Sequence, residues 1–281
     1  MQLTITSGKG GTGKTLVATN LAHLLSVEQD KVIQLLDCDV EAPNDHLFFD
    51  QQIQQEIPVF LQIPEIDHER CTLCNHCADV CEFNAIAVFG KSVLVFPELC
   101  HACGGCTLAC PEQAIHETEH QTGTVAIGES GALQLYSGLL NIGEAKSPPV
   151  IQAVKYGITQ DRINILDSPP GTSCPVVETL HGADYVVMVA EDSPFGCHDL
   201  KLAVKLVSAM NLPKGLVINK ADPSFPDLRR FAEQEQIPVL AEIPFDRNIA
   251  EIYSRGELLV EQDEKYHQIF TQLWTEIKKN I

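Results

Sequence analysis

Apolar residues recur along most of the chain in two alternating patterns. Short, almost continuous apolar runs are typical of buried β-strands. Longer segments between them repeat apolar residues at helical spacing, as in HDLKLAVKLVSAM (198–210). This alternation predicts an α/β fold with a mostly parallel sheet and helices on both faces. The predicted strands are QLTITS (2–7), KVIQLLDCD (31–39), INILDS (163–168), DYVVMVAED (184–192), GLVINK (215–220) and VLAEIP (239–244).

The alternation stops between residues 62 and 120. This segment has short predicted strands, few long apolar runs, and eight of the eleven cysteines. Its two halves, CTLCNHCADVCEFNAI (71–86) and CHACGGCTLACPEQAI (100–115), repeat each other, and so close a repeat predicts a pseudo-two-fold unit. We therefore expect a small inserted α+β module over 62–120 and a main domain made of 1–61 and 121–281.

Regular patterns return after the module. ALQLYSGLLNI (132–142) predicts a strand, and SPPVIQAVKYG (147–157) predicts a helix opened by prolines. The final segment, YHQIFTQLWTEIKKNI (266–281), places its apolar residues on one helical face. Membrane binding is one interpretation of that face. Packing on the sheet is favoured because the polar face lacks a run of basic residues.

Composition narrows the classes of function. The chain of 281 residues is 44% hydrophobic, yet no apolar run is long enough to span a bilayer. The first residues lack the charged region and apolar core of a secretory signal, so we expect a cytoplasmic protein. The formal net charge of -19 argues against nucleic acid or an anionic membrane as the main partner, because both need clustered Lys and Arg.

A phosphate-binding loop is the clearest motif of the main domain. GKGGTGKT (8–15) matches G-x-x-x-x-G-K-[ST] between a predicted strand and a predicted helix. Glycines let backbone N–H groups turn toward a phosphate, and the N-terminus of the following helix favours anions. Lys14 is expected to reach the β- and γ-phosphates of ATP, and Thr15 to hold Mg²⁺. The expected nucleotide-binding residues of the loop are Gly8, Lys9, Gly10, Gly11, Thr12, Gly13, Lys14 and Thr15.

The loop also contains a second lysine, Lys9, before the motif lysine, and this feature is typical of a smaller group of phosphate-binding loops. KGGTGKT closely resembles the deviant Walker A loop of the MinD/ParA family, which includes the nitrogenase iron protein and the Mrp-type cluster carriers. In that family the first lysine crosses to the phosphates held by the other subunit of an ATP-bound dimer. The resemblance covers about 220 residues outside the module. It implies a homodimeric, Mg²⁺-dependent ATPase in which Lys9, Lys14 and Asp39 are catalytic.

Two segments resemble the switches of that family. LLDCDVEAPN (35–44) is similar to the first switch, which implies that Asp39 orients the attacking water. ILDSPPGTS (165–173) is similar to the Walker B strand and the second switch, with Gly171 near the γ-phosphate. Acids at strand ends can also be simple caps. The Mg²⁺ site implied by the resemblance is formed by Thr15, Asp37 and Asp167.

Two shorter segments resemble the loops that hold the nucleotide base. INKAD (218–222) is similar to the adenine-contacting loop, which implies a hydrogen bond from Asn219 to the base. IPFD (243–246) is similar to the loop that closes over the base. The resemblance therefore adds Asn219, Pro244 and Asp246 to the expected nucleotide-binding residues.

The clustered cysteines form two runs with the same C-x₂-C-x₂-C-x₃-C spacing. Such clustering indicates ligation of a metal or cluster in a reducing compartment rather than disulfides. Three thiolates converging from one short loop suit an iron–sulfur cube. Structural zinc is the main alternative, although zinc favours two separated C-x₂-C pairs. The first run is Cys71, Cys74, Cys77 and Cys81, and the second is Cys100, Cys103, Cys106 and Cys110.

Together the two runs resemble a bacterial two-cluster ferredoxin, including a proline after the last cysteine. In such ferredoxins the fourth cysteine of each run ligates the other cluster. Glu82 stands where the first run would carry proline, and its charge is expected to lower the potential slightly. The resemblance implies two [4Fe–4S] clusters, one on Cys71, Cys74, Cys77 and Cys110 and the other on Cys81, Cys100, Cys103 and Cys106.

Three cysteines lie outside the module. Cys38 and Cys197 are expected to be small packing residues. Cys174 follows Asp167 by seven residues, a spacing that resembles the nitrogenase iron protein, where a cysteine of the second switch helps to hold a cluster across the dimer. That cluster needs a second cysteine from each subunit, and the candidates are already assigned to the module. A buried structural thiol is therefore favoured for Cys174, with metal contact as the alternative.

Three functions fit this combination of ATP or ADP, Mg²⁺ and two clusters. In the first, ATP hydrolysis in a homodimer gates electron transfer to a partner protein, or drives assembly of a metal cofactor on one. The second is an iron–sulfur carrier or scaffold, although eight chelating cysteines indicate fixed clusters. The third is an ATP-dependent protein-positioning factor. We favour the first because the module follows Asp39 so closely in the chain.

Overall fold

The computed structural model describes residues 1–29 and 32–281. These residues form one large sheet and a small separate hairpin. The predicted strand at 31–39 begins at residue 33, and Lys31 lies outside the described residues. The strands are β1 (Gln2–Thr6), β2 (Ile33–Asp37), β3 (Gln52–Ile66), β4 (Ile86–Phe89), β5 (Ser92–Val95), β6 (Ile115–Ser130), β7 (Leu133–Leu140), β8 (Ile163–Asp167), β9 (Tyr185–Glu191), β10 (Lys214–Ala221) and β11 (Val239–Pro244).

Most helices follow a strand and return the chain across the sheet. Short 3₁₀ helices also occur at Asp45–Phe48 and Pro97–Leu99. The α-helices are α1 (Lys14–Glu28), α2 (His76–Asp79), α3 (Gly105–Ala109), α4 (Pro148–Lys155), α5 (Cys174–Leu180), α6 (Pro194–Ala209), α7 (Asp227–Gln234), α8 (Arg247–Ser254), α9 (Leu259–Gln262) and α10 (Glu264–Asn280).

The large sheet has the order β11-β10-β9-β1-β8-β2-β7-β6-β3. Every pair from β11 to β7 is parallel, and β6 is antiparallel to both β7 and β3. One face packs on α1, α8, α9 and α10, and the other on α4, α5, α6 and α7. The predicted α/β fold, a mostly parallel sheet covered on both faces, is therefore confirmed.

The last helix, α10, packs against the sheet. Its apolar face is buried in the same core as β1 and α1, and Phe270 and Leu273 are almost fully enclosed. The side chains predicted to lie on one helical face are therefore occupied by intramolecular packing. Among the described residues, none of the helices combines the length and apolar character that a bilayer crossing requires.

Strands β3 and β6 form a long antiparallel ladder that carries the cysteine-rich segment at its far end. The ladder runs from Gln52 opposite Glu129 to Ile66 opposite Ile115. The predicted module boundaries at residues 62 and 120 fall inside it, and the strands there are long rather than short. Most side chains of β3 are exposed, and Pro58 and Pro64 interrupt the apolar alternation of Ile57, Val59, Leu61 and Ile63, so the sequence argues against a long strand here. The division into domains at 62 and 120 stays a prediction.

The segment between the two long strands, residues 67–114, repeats its own geometry. Each position of its first half has an equivalent 29 residues later, as Cys100 is to Cys71. The backbone N–H of Asp67 donates to the carbonyl of Ala114 at 2.8 Å, and that of Phe96 donates to Ala85 at 2.8 Å. The segment thus has the pseudo-two-fold character that its sequence repeat predicts. Three equivalent pairs adopt positive φ: Leu73 with Ala102, Asn75 with Gly104, and Asn84 with Gln113.

Replacing Phe270 by alanine tests the packing of α10. The change removes a buried aromatic ring, and we expect a loss of about 3–5 kcal/mol in the free energy of unfolding, measured by urea denaturation. Gln272→Ala alters an exposed position of the same helix and is the matched control. Equal unfolding midpoints for the two variants would contradict the packing described for this helix.

Candidate functional site

The phosphate loop lies between β1 and α1, at the carboxyl edge of the parallel strands. Gly11 and Gly13 both have positive φ, at 75° and 101°. Gly171 of the second switch donates its backbone N–H to the carbonyl of Ser7 at 3.0 Å, which holds the two segments together. Lys14 begins α1 and is largely buried. The loop therefore presents a helix N-terminus and a lysine at the edge where ligands of such sheets bind.

Asn219, near the end of β10, is hydrogen-bonded to the phosphate loop. Its Nδ2 donates to the carbonyl of Thr12 at 2.7 Å, and its Oδ1 accepts the N–H of Lys220 at 2.8 Å. A Cβ on Gly13 would lie 2.2 Å from Asn219 Nδ2. A side-chain amide has a second proton and a second lone pair, so Asn219 can contact a base while bracing the loop.

A cavity of about 230 Å³ opens beside the loop and brings together the three residues expected near the base. Asn219, Pro244 and Asp246 all line it. Both oxygens of the Asp246 carboxylate already have partners: Oδ1 caps α8 by accepting the N–H of Asn248 at 2.9 Å, and Oδ2 accepts the hydroxyl of Tyr266 at 2.8 Å. Five apolar and aromatic residues that the sequence did not single out also line the cavity. These are Leu16, Phe245, Ile249, Ala250 and Tyr253.

Three carboxyl groups meet under the loop. Thr15 donates its hydroxyl to Asp167 Oδ2 at 2.6 Å. Asp37 accepts the backbone N–H of Asn44 at 2.8 Å and that of Asp45 at 3.1 Å. Both carboxyl oxygens of Asp45 and Oδ1 of Asp167 are buried without a hydrogen-bond partner. Thr15, Asp37 and Asp167 are thus brought together as expected, and Asp45 joins them.

Burial is the largest influence on the pKa values of these three carboxyl groups. It raises the pKa of Asp37 from 3.8 to about 8, with the nearby charge of Asp167 as the next cause. Burial likewise raises the pKa of Asp167 to about 6, against the lowering effect of Lys14. The pKa of Asp45 is raised well above its usual range for the same reason. The three carboxyl groups do not converge closely enough to hold an ion by themselves. A Mg²⁺ ion at these partnerless oxygens would complete its oxygen ligands with water or phosphate.

Asp45 was missed because its position resembles a cap. It begins a 3₁₀ helix directly after Asn44, a place where aspartate commonly satisfies backbone N–H groups. Nothing in the local sequence indicates that the first switch curls back over Asp37. The signal is tertiary, because it arises from the hydrogen bonds that Asp37 accepts from Asn44 and Asp45.

The two remaining catalytic candidates lie at the rim. Asp39 is partly buried, and burial raises its pKa while the charge of Lys14 lowers it. Lys9 Nζ lies 3.9 Å from Glu191 Oε2, and the ammonium of Lys220 lies 3.2 Å from the same atom. Within a single chain, therefore, Lys9 is paired with Glu191 at the end of β9. Glu191 was not singled out by the sequence.

The eight module cysteines divide between two cavities in a crossed pattern. The last cysteine of each run lines the cavity of the other run. The first cavity is lined by Cys71, Cys74, Cys77 and Cys110, together with apolar residues such as Ile66 and Ile115. The second is lined by Cys81, Cys100, Cys103 and Cys106, together with Phe83 and His101.

Backbone N–H groups point at several of these sulfur atoms. Ala85 donates to Cys81 Sγ and Ala114 donates to Cys110 Sγ, both at 3.3 Å, and these pairs are equivalent in the two halves. Among the residues that the structure describes, no three His, Cys, Asp or Glu side chains approach closely enough to hold a single metal ion. The cysteines are thus grouped around cavities without converging on one point.

The cysteines outside the module differ from one another in exposure. Cys38 and Cys197 are buried, as expected for packing residues. Cys174 is exposed, so the favoured interpretation as a buried structural thiol is wrong. It is the first residue of α5 and follows the glycine turn of the second switch, and this position keeps its side chain at the surface.

The fold and the phosphate loop define a P-loop nucleotide-binding protein. The family model described as the CobQ/CobB/MinD/ParA nucleotide binding domain matches residues 3–260, and the chain belongs to this family. Two similar proteins come from Methanocaldococcus jannaschii. Uncharacterized protein MJ0579 is 32% identical over 267 residues, covering 92% of this chain and 90% of its own. Uncharacterized protein MJ0578 is 31% identical over 287 residues, covering 100% and 98%.

Solved structures share the fold at lower identity. The cell division ATPase MinD of Pyrococcus furiosus has a TM-score of 0.58 at 19% identity, covering 99% of this chain and 98% of its own. The septum site-determining protein MinD of Pyrococcus horikoshii, solved with Mg-ADP, has a TM-score of 0.59 at 20% identity, covering 99% and 96%. The MinC:MinD complex of Aquifex aeolicus has a TM-score of 0.59 at 16% identity, covering 100% and 96%.

Replacing Gly13 by alanine tests the geometry of the loop. The positive φ costs an alanine roughly 1–2 kcal/mol, and the new Cβ collides with Asn219. We expect a lower urea midpoint of the nucleotide-free protein and weaker ATP binding. Gly10→Ala is the control for stability alone, because its Cβ would meet nothing within 4 Å and its φ is ordinary. Equal midpoints for both variants would contradict this geometry.

The raised pKa of Asp37 predicts a pH-dependent stability in EDTA without nucleotide. The folded chain keeps a proton that the unfolded chain releases above about pH 4, so this stabilisation is lost as pH rises through about 8. Relative to Asp37→Asn, we expect the wild-type unfolding free energy to fall by about 1 kcal/mol per pH unit between pH 5 and 7. Urea denaturation measures it, with Asp50→Asn as an exposed control. Parallel curves for wild type and Asp37→Asn would contradict the prediction.

Proposed function

We propose that this protein is a homodimeric ATPase carrying two [4Fe–4S] clusters. In this proposal its nucleotide state gates electron transfer from the clusters to a partner protein, or the assembly of a metal cofactor on that partner. The observation that carries the proposal is the crossed division of eight cysteines between two cavities. In this proposal the chain has two ligand-binding regions: the nucleotide site of its family, and the cysteines of the segment that β3 and β6 carry.

The chain's own residues suit ATP hydrolysis. Lys14 and the loop N–H groups would bind the phosphates, while Thr15, Asp37, Asp45 and Asp167 would hold Mg²⁺ directly or through water. The cation would keep these buried carboxyl groups ionised, which their burial otherwise opposes. Asp39 would orient the attacking water. These assignments rest on the contacts around Asp167 and on the family resemblance together.

The position of Lys9 is compatible with the proposed dimer. In the single chain its ammonium pairs with Glu191 at 3.9 Å while partly exposed to solvent. Such a pair is weak, so the lysine can leave it at small cost. A second ammonium, on Lys220, remains to neutralise Glu191. Lys9 can therefore reach across a dimer interface to the phosphates of the other subunit and stabilise the charge that develops there.

The cysteine cavities suit a cubic cluster better than a single ion. Four sulfurs around one zinc would lie about 3.8 Å apart, given Zn–S bonds of about 2.3 Å. No group of three ligands in the described part of the chain is that compact. A cluster spreads its thiolates over four irons, so it tolerates wider spacing. When bound, it would supply one-electron redox chemistry. The N–H groups of Ala85 and Ala114 would then stabilise thiolate charge.

The partner is expected to have a basic surface. Residues 65–119 contain nine acidic and two basic residues, and the whole chain carries a formal charge of -19. Cys74 and Cys103 are exposed, which leaves one ligand of each expected cluster near the surface. A redox protein or a protein that handles metals could approach there, steered by its positive charge.

Anaerobic purification of the full chain tests the proposal. We expect eight irons per chain, two reducible clusters by EPR, and a shift in the potential of at least one cluster when Mg²⁺ and a non-hydrolysable ATP analogue are added. Cys110→Ser should perturb the cluster that Cys71→Ser perturbs, and Cys81→Ser the one that Cys100→Ser perturbs.

Cys197→Ser, at a buried cysteine outside the module, is the control and should leave both EPR signals unchanged. Zinc in place of iron would exclude the redox proposal. Iron without any nucleotide effect on potential, or on the rate of chemical oxidation, would exclude the gating. A labelled cluster passing to an apo-acceptor would instead favour a carrier.

A second candidate function is protein positioning. It is favoured by the shared fold of cell division proteins MinD and of the McdA protein of Cyanothece, which has a TM-score of 0.58 at 17% identity and covers 99% of this chain and 95% of its own. The two functions differ in their need for the cysteines. ATP-dependent localisation that survives both Cys71→Ser and Cys100→Ser would favour positioning.

A further inference from the structure

A loop of residues 141–147, here called the clasp loop, connects β7 to α4 and holds the base of the β3–β6 ladder. The backbone N–H of Asn141 donates to the carbonyl of Thr122 at 2.9 Å. The side-chain amide of Asn141 donates to Gln121 at 2.8 Å, and His120 Nε2 lies 2.6 Å from Glu144 Oε1. The clasp loop is therefore fixed to the strand that leads out of the cysteine-rich segment.

The clasp loop also reaches the turn that precedes the second cysteine run. Lys146 Nζ donates to the carbonyl of Glu98 at 2.8 Å and to that of Pro97 at 3.3 Å. The carbonyl of Pro97 also accepts the N–H of Cys100 at 3.1 Å. One ammonium thus shares an acceptor with the first cysteine of this run. Charged donors form the stronger hydrogen bonds, so the contact fixes the turn before Cys100.

The other end of the clasp loop touches the first switch. Ser147 donates its hydroxyl to Glu41 Oε1 at 3.3 Å, and the N–H of Leu140 donates to the carbonyl of Val40 at 2.8 Å. Glu41 lies two residues after Asp39. Val40 is buried in the core beneath α4, and this packing fixes the stretch against the helix that follows the clasp loop. A continuous path runs from Asp39 to the turn before Cys100.

The path exists in only one half of the pseudo-symmetric segment. The equivalents of Pro97 and Glu98 in the first half are His68 and Glu69. No ammonium group of the described residues donates to their carbonyls. Instead, Asp67 Oδ1 accepts the N–H of Glu69 at 3.0 Å and that of Arg70 at 3.3 Å, which closes the turn within the segment itself.

We propose that the clasp loop transmits the nucleotide state of the first switch to the second cysteine run alone. The cluster expected on Cys81, Cys100, Cys103 and Cys106 is then the nucleotide-responsive one, and Lys146 is the positioning residue that makes it so. This inference rests on the proposed function and adds which cluster responds and through which contacts. A nucleotide that moves Glu41 displaces Ser147, and with it the ammonium beside the turn at Pro97.

Hydrogen exchange of the anaerobically purified full chain tests the path without relying on cluster activity. With Mg²⁺ and a non-hydrolysable ATP analogue, exchange in 96–103 should change at least twofold, and exchange in 67–74 should not. Lys146→Met should abolish the change at 96–103 and preserve the change at 37–45. Lys91→Met removes the same charge from an exposed position of the segment, and its response should match the wild type.

Glu41 supplies a second pair of variants that leaves the segment itself intact. Glu41→Gln keeps an oxygen that can accept from Ser147, so the response at 96–103 should persist, whereas Glu41→Ala should lose it. Potentiometric EPR should give the same ranking for the shift of the cluster that Cys106→Ser perturbs.

The outcomes separate the inference from the proposed function. Three results would contradict the role of the clasp loop and leave the proposed ATPase unaffected. They are a response at 37–45 with none at 96–103, equal responses at 96–103 and 67–74, and a wild-type response in both Lys146→Met and Glu41→Ala. No response at 37–45 overturns the proposed nucleotide site itself, and with it the inference.

Discussion

The structure depends on carboxyl groups that are buried at the carboxyl edge of the sheet, where their ionisation would create negative charge in a dry environment. Asp37 and Asp167 end neighbouring strands, and their register places them directly opposite each other. Lys14 is the cation that offsets part of this charge, and the N–H groups donated to Asp37 offset more. Ionising both groups without a further cation is costly in so dry a place. The first switch is held over this site by the N–H groups of Asn44 and Asp45, which donate to Asp37.

The cysteine-rich segment is connected to that site through the sheet. Strand β7 pairs with β2, β6 pairs with β7, and β3 pairs with β6, so the hydrogen-bonded ladder runs from Asp37 to the start of the segment. The segment is thus an extension of the sheet on its antiparallel side. This packed and hydrogen-bonded route is the one that the proposed coupling between the two sites would use.

The parallel sheet, the phosphate loop and the two cysteine groups could be predicted from the sequence, because each produces a local sequence pattern. Apolar runs and glycine spacing predict the parallel sheet and the loop at Lys14, and cysteine spacing predicts two ligand groups. Other features arise only from tertiary contacts. Asp45 resembles a cap until the switch folds back. Strand β3 contains two prolines, and its length of 15 residues depends on the ladder that it forms with β6. Lys146 belongs to no motif, since its role depends on a turn some fifty residues earlier in the chain.

Strand β3 is also an edge strand of the sheet, and a long edge strand favours aggregation. Its backbone pairs with β6 on one side only, so the row of N–H and C=O groups on its outer side could template the addition of a strand from a second molecule. Pro58 and Pro64 interrupt this row, because proline has no N–H to donate. Charged Glu56 and Glu65 on the same strand add repulsion between copies. The sheet can therefore extend into a cysteine-rich appendage while each molecule remains protected from edge-to-edge aggregation.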